Sequence, residues 1–434
     1  MQERSFVDLA ARLGDLLAPS LAVDWPNLPV SRASGTYVWS TDGRRYLDFV
    51  SGMATANLGH CHPRVVAAAK EQMDRLVHGP IGVLLYEPIV RLAEELRGVV
   101  PGGLDMFFFG NSGAEAVEGA LKLARYVTGR SAVIAFEGGF HGRTMGAASV
   151  TSSKSKYRLH YEPLLSSVYF APYPYCYRCP VGREQGRCGL ECLDRLDSMF
   201  HHLVDPSQVA AVLVEPVLGE GGYVVPPAGY LKGLRELCDR HGTLLVFDEV
   251  QTGFGRTGAM FAAQAMGVVP DVMAVAKGIA SGLPLGATVA PSRLMKEWSP
   301  GAHGTTFGGN PVSCAAALAT LAVLREEDLP ARARGLGEYA LSRLREMADR
   351  HPRVGDVRGL GLMIGIEFVD PAGRRPYGEL VARVLEECLA RGLILYPCGT
   401  FNQVIRFIPP LTVSEEDLDA GLEILSQALE AVGA

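Results

Sequence analysis

Short apolar runs, each closed by polar residues, set the pattern of this chain. Leu244–Phe247 is followed by Asp248, Glu249 and Gln251, and Val272–Ala276 by Lys277 and Gly278. Each run is too short for a typical helix and is bounded by Gly or Pro, which predicts buried strands. Met106–Phe109, Ala132–Phe136 and Val209–Val214 have the same form. Between the runs the spacing turns amphipathic and predicts helices over Pro63–Val77, Pro88–Leu96, 110–125 and 326–350. Gly35–Tyr46 holds two strand-like stretches around Thr41-Asp42-Gly43, a hairpin signal. From Val357 the chain reads V-R-G-L-G-L-M-I-G-I-E-F, then a helix to Arg391, then G-L-I-L-Y and V-I-R-F-I. Strands alternating with helices predict an open α/β sheet.

Composition narrows the function classes. The 434 residues are 48% apolar and 20% charged, with a net charge of −6, so there is no basic footprint for nucleic acid. The first thirteen residues read as a polar, amphipathic helix and not as a signal peptide. No apolar run reaches the ~18 residues that span a bilayer, so no membrane role is expected and the default place is the cytoplasm. Nine cysteines cannot all pair within the chain. Cys61, Cys238, Cys314, Cys388 and Cys398 are expected as small core residues. Cys176, Cys179, Cys188 and Cys192 form C-x2-C-x8-C-x3-C, near structural-zinc spacing; a zinc ion and a reduced or partly disulfide-paired insert both stay open. His60 and His62 lie two apart in a Gly-rich loop with no carboxylate near, which argues against a metal pair.

In an open α/β sheet, ligands gather at the carboxyl ends of the strands. Asp248 and Lys277 should therefore meet in one crevice. An amine beside a carboxylate suits pyridoxal phosphate (PLP): the lysine forms a Schiff base with the cofactor, and the acid keeps the pyridine nitrogen protonated. Upstream, Met106–Phe109 runs into G-N-S-G-A-E-A, a strand, a turn and a helix start whose free N–H groups suit a phosphate. Glu115 and Glu118 read as solvated or dimer-facing, placed well for the helix dipole.

The stretches F-D-E-V-Q-T-G-F-G-R-T-G (247–258) and A-V-A-K-G (274–278) resemble the class III (ω-) aminotransferases of PLP fold type I, within them 4-aminobutyrate aminotransferase. The resemblance covers about residue 20 to the end. It implies a mostly parallel seven-stranded sheet in a large domain (76–324, with a Cys-rich insert at 172–193). A smaller α+β domain would be built from both chain ends (1–75 and 325–434). It implies Lys277 as the Schiff-base lysine, Asp248 as the pyridinium partner and Gln251 as partner of the ring hydroxyl. Ser112, Gly113 and Ala114 would hold the phosphate, and Phe140 would stack on the ring. His141, Glu215 and Val250 would lie about the cofactor, His141 in a structural place. Thr306 would reach the partner's cofactor phosphate in a homodimer; pairing of dimers into a tetramer stays open.

For the substrate, the resemblance implies Met53 at the entrance and Arg143 on a carboxylate, its guanidinium fork matching the two oxygens. Glu220 would be a gate carboxylate, paired with Arg406 while the ω-amino donor is bound and swinging away when a dicarboxylate enters. A surface salt bridge between the two would contribute little. The expected reaction moves an amino group from 4-aminobutyrate, or from ornithine or lysine, to 2-oxoglutarate. The four cysteines depart from the 4-aminobutyrate aminotransferase pattern and resemble an insert of thermophilic branches, some of which racemise amino acids. A racemase or epimerase is thus the runner-up, against which Glu220 stands where racemising relatives tend to carry Asp. An ATPase reading of L-L-V-F-D-E fails for want of a G-x-x-x-x-G-K-[ST] loop.

Overall fold

The computed structural model describes residues 12–13, 15–21, 28–184, 186–370, 372 and 374–433. Most of the expected N-terminal helix therefore lies outside the described residues. The first sheet opens with β1 (Val30–Ser34), β2 (Tyr37–Ser40) and β3 (Arg45–Asp48), an antiparallel run. The expected hairpin turn is there: Gly43, at φ +87°, donates its N–H to Ser40 O at 3.0 Å.

The central sheet has seven strands: β4 (Met106–Gly110), β5 (Ala132–Phe136), β6 (Val168–Ala171), β7 (Val209–Val214), β8 (Leu244–Asp248), β9 (Val272–Val275) and β10 (Gly286–Ala290). Their order is β4-β10-β9-β8-β7-β5-β6. All neighbours are parallel except at β10, which runs antiparallel to both β4 and β9. Every residue of β5, β7 and β10 is buried, as expected for strands covered on both faces, and this is why the sequences of β5 and β7 are continuous apolar runs. Helix Gly113–Thr128 packs closely on the sheet at Gly119, where a Cβ would lie 2.2 Å from Thr288 Oγ1.

The C-terminal part adds β11 (Val354–Leu360), β12 (Met363–Asp370), β13 (Arg375–Pro376), β14 (Leu393–Ile394), β15 (Tyr396–Cys398) and β16 (Val404–Phe407). A second antiparallel sheet runs β11-β12-β16-β15, with β13 on β12. β14 instead leaves for the N-terminal sheet and pairs parallel with β3, Leu393 opposite Leu47. The smaller α+β part is thus built from both chain ends. Arg256, fully buried, ties it to the rest by donating to Asn57 Oδ1, Leu362 O and Pro409 O at 2.9, 3.1 and 2.5 Å.

Several boundaries shift for local reasons. The first amphipathic helix stops at Met73, short of Val77. The helix after β4 starts at Gly113 because Ser112 Oγ accepts the Glu115 N–H at 3.2 Å, a side-chain cap. The charged stretch from 326 is Leu329–Ala348, preceded by Asp328 at φ +43° and a separate helix Pro311–Glu326. Cys61, expected in the core, is exposed in a turn at φ +50°, whereas Cys238, Cys314, Cys388 and Cys398 are buried. No helix among the described residues is long and apolar enough to cross a membrane.

Candidate active site

Asp248 and Lys277 come together because β8 and β9 are parallel neighbours ending at the same level, with Asp248 opposite Ala274. β9 stops at Val275, and Lys277 turns out of the strand direction at φ +48° into a short 3-10 turn. Both residues line one cavity of about 320 Å³. The Lys277 amine makes no hydrogen bond or ion pair to any described residue. Burial holds its pKa below the ordinary lysine value, with Asp248 pulling the other way.

Asp248 is fixed on both oxygens: Oδ1 accepts the Val250 N–H at 3.0 Å, and Oδ2 lies 2.7 Å from His141 Nδ1. Burial opposes charge on His141, but the hydrogen bond and charge of Asp248 prevail and raise its pKa. His141 was expected in a structural place; it is the direct partner of the acid. The adjacent Glu249 faces away and is fully buried, accepting from the N–H groups of Ala262 and Ala263 at 3.0 and 2.6 Å and from the Thr252 hydroxyl. Burial pushes Glu249 up to about 7 against these bonds.

At the other wall of the cavity lie Ser112, Gly113 and Ala114. A Cβ on Gly113 would stand 2.7 Å from Val250 Cγ1, so only glycine lets this helix start approach the β8 end. Glu115 and Glu118 are half-buried and engaged, not solvated. Glu115 folds back onto the Asn111 N–H and side chain, and Glu118 accepts from Thr144 Oγ1 and the N–H groups of Gly146 and Ala147 at 2.6, 2.9 and 3.2 Å. Phe140 and Glu215 are joined, Phe140 N–H to Glu215 Oε1 at 2.8 Å; Glu215 also accepts from Gly219 N at 2.8 Å, and burial raises its pKa. Thr306 is exposed and does not line the cavity of its own chain.

A second cavity of about 600 Å³ shares Phe140, Glu215, Gln251 and Lys277 with the first and continues to Met53, Arg143, Glu220 and Arg406. Here Glu220 and Arg406 form an ion pair, with side chains 13% and 5% exposed, so this is not a surface bridge. Two residues with no sequence signal join them. Lys154 Nζ reaches Glu220 Oε1 at 2.8 Å, and the Tyr157 hydroxyl donates to the same oxygen at 2.9 Å. Burial works against the charge of Glu220, but Arg406 and Lys154 outweigh it and hold its pKa below the ordinary value. Arg143 is exposed and lies over the Tyr157 ring, 3.7 Å from its centroid.

Two metal expectations come out differently. His60 does have a carboxylate at hand: Asp48 Oδ2 is 2.7 Å from its Nε2, brought there by the chain reversal after β3. The four cysteines all border one small cavity and are free thiols. Among the described residues, however, no three His, Cys, Asp or Glu side chains are gathered so as to hold an ion. Helix Glu191–His202 turns Cys192 into the core, where burial raises its thiol to about 11, while Cys188 stays exposed.

The family model for aminotransferase class-III matches residues 20–429. The 4-aminobutyrate aminotransferase of Escherichia coli K12 is 40% identical over 401 residues, 92% of each chain. A leucine/methionine racemase of Thermococcus litoralis is 39% identical over 431 residues, 98% of this chain and 96% of its own. Among solved structures, taurine:2-oxoglutarate aminotransferase of Bifidobacterium kashiwanohense, in complex with PLP and glutamate, superposes with a TM-score of 0.91 at 30% identity, covering 100% of this chain and 99% of that one. A match to one family model over nearly the whole length, with identities of this size, places the chain among the class-III aminotransferases: it is a PLP-dependent transaminase.

Proposed function

We propose that the protein transfers the terminal amino group of an ω-amino acid, 4-aminobutyrate first and ornithine or lysine behind it, to 2-oxoglutarate. The observation that carries this reading is the buried Glu220–Arg406 pair in a cavity that opens onto Lys277. An ω-amino acid brings one carboxylate, for which Arg143 suffices, and Arg406 is best left neutralised. A dicarboxylate needs a second guanidinium, and Glu220 must then leave Arg406.

The inner cavity suits PLP. Gln251 Oε1 and His141 Nε2 are buried at its wall with no hydrogen-bond partner among the described residues, which calls for a polar group from outside. The open N–H groups after Ser112 suit its phosphate. When bound, PLP supplies an aldehyde to which an amine links and a ring that takes up an electron pair. Lys277 Nζ would hold it between turnovers and, once the donor amine has replaced it, move a proton from the substrate carbon. The lowered pKa of that amine enlarges its neutral fraction, the form that accepts a proton. Asp248 would keep the ring nitrogen protonated, fixed in place by His141. Phe140 would cover one ring face, and Glu215 and Val250 would close the pocket. Thr306 would serve the partner subunit; the neighbouring Phe307, 59% exposed, is the kind of apolar side chain a homodimer covers.

The test is a panel of amino donors against 2-oxoglutarate, with glutamate measured as product. ω-Amino acids should lead the panel. The racemase relative gives weight to one other reading, in which an L-amino acid is inverted with no keto acid consumed; that result would replace this proposal.

A further inference from the structure

Glu367, on β12, is fully buried and takes no part in either cavity. It accepts from three sides: the Tyr175 hydroxyl, Arg178 Nε at 2.6 Å and Arg358 Nη1 at 2.7 Å. Tyr175 and Arg178 flank Cys176 in the cysteine-bearing segment. Arg358, on β11, lies over the Tyr175 ring and also meets Asp356 Oδ2 at 2.7 Å. Its remaining N–H groups converge on one backbone atom: Nε and Nη2 donate to Gly222 O at 3.1 and 2.5 Å. Gly222 stands two residues beyond Glu220, in a turn where its N–H bonds Gly219 O at 3.0 Å. At φ +125° and with no side chain, its own hold on that turn is this backbone bond alone. Two hydrogen bonds donated by one guanidinium hold it strongly, because the donor is charged.

We infer that Arg358 is a positioning residue for Glu220, and that Tyr175 and Arg178 set substrate selectivity by holding Glu367 and Arg358 in place. The path runs from the cysteine-bearing segment through Glu367 and Arg358 to the 219–222 turn. With that turn fixed, the Glu220 carboxylate rests on Arg406. With it loosened, Glu220 leaves at lower cost, and a dicarboxylate gains over a monocarboxylate, since a ligand draws on the difference between the two states. The inference rests on the reading of Glu220 as a removable partner of Arg406.

Calorimetric binding to the holoenzyme of two unreactive probes, glutarate (two carboxylates) and valerate (one), tests it. In Arg358→Gln the ratio of the two Kd values should move about fivefold toward glutarate, with valerate changed less than about twofold, within the range such couplings reach. The double variant Tyr175→Phe, Arg178→Gln should move it the same way by about twofold to threefold. A general loss of structure would weaken both probes alike. Arg406→Gln should abolish the preference for glutarate; if it does not, the gate itself is withdrawn and the inference with it. If Arg406→Gln acts as expected while both other variants, folded by thermal unfolding, keep the parent ratio, the inference alone is overturned. Should Arg358→Gln fail to fold, the double variant decides.

Discussion

The two cavities meet at Lys277 yet are built on different principles. The inner one hangs on strand ends: Asp248 closes β8, Lys277 follows β9, and Ser112 follows β4. The outer one is assembled from loops and from residues far apart, as in the contact of Lys154 and Arg406 with one Glu220 carboxylate. The inner site is preset by the sheet, and the outer by a balance of charges that, on the function proposed above, a substrate upsets. Inner residues should therefore matter to every substrate, and outer ones to some.

The harshest test of that division is Lys277→Ala, which should lower turnover by at least roughly 10⁴-fold with ω-amino acid and dicarboxylate alike. Activity with either one, without added amine, would break it. Asp248→Asn should cost about 10²–10³-fold in kcat, again in both half-reactions, as for a fixed electrostatic partner. Arg406→Gln should split them. Single-turnover assays should show kcat/KM for 2-oxoglutarate down about 10²-fold, the order expected for one member of a buried pair, with the 4-aminobutyrate half-reaction within about threefold. Equal losses in both would erase the distinction.

The smallest effect concerns stability. The carboxyl of Glu249 is raised from 4.5 to about 7, so between those values the folded chain keeps a proton that the unfolded chain has released. Its contribution is full below the unfolded value and is lost as pH rises through the folded one. As pH rises from 5 to 7.5 the parent should therefore lose thermal stability relative to Glu249→Gln, whose amide does not ionise. A parent that gains on the variant over that range would contradict the assignment.

The same contrast explains what could be read from the sequence. Asp248 and Lys277 were legible because a short buried run fixes where its end must lie, and parallel neighbours bring such ends together. β10 left no comparable mark: G-A-T-V-A is short, small and preceded by no distinct signal. Lys154 and Tyr157 could not be found from S-K-S-K-Y, since their role exists only where Glu220 and Arg406 arrive. The cysteine spacing alone names no ligand set, for a related reason. Spacing records distance along the chain, and the helix from Glu191 decides which way Cys192 points.

The pairing of β3 with β14 has a consequence for biosynthesis. Leu47 waits for Leu393, almost the entire polypeptide later. At ribosomal speeds of about 5–20 residues per second, that edge stays without its neighbour for roughly 17–70 seconds. The nascent N-terminal hairpin thus spends most of translation as an open template for adhesion, and a chaperone that shields it would raise the yield of active enzyme.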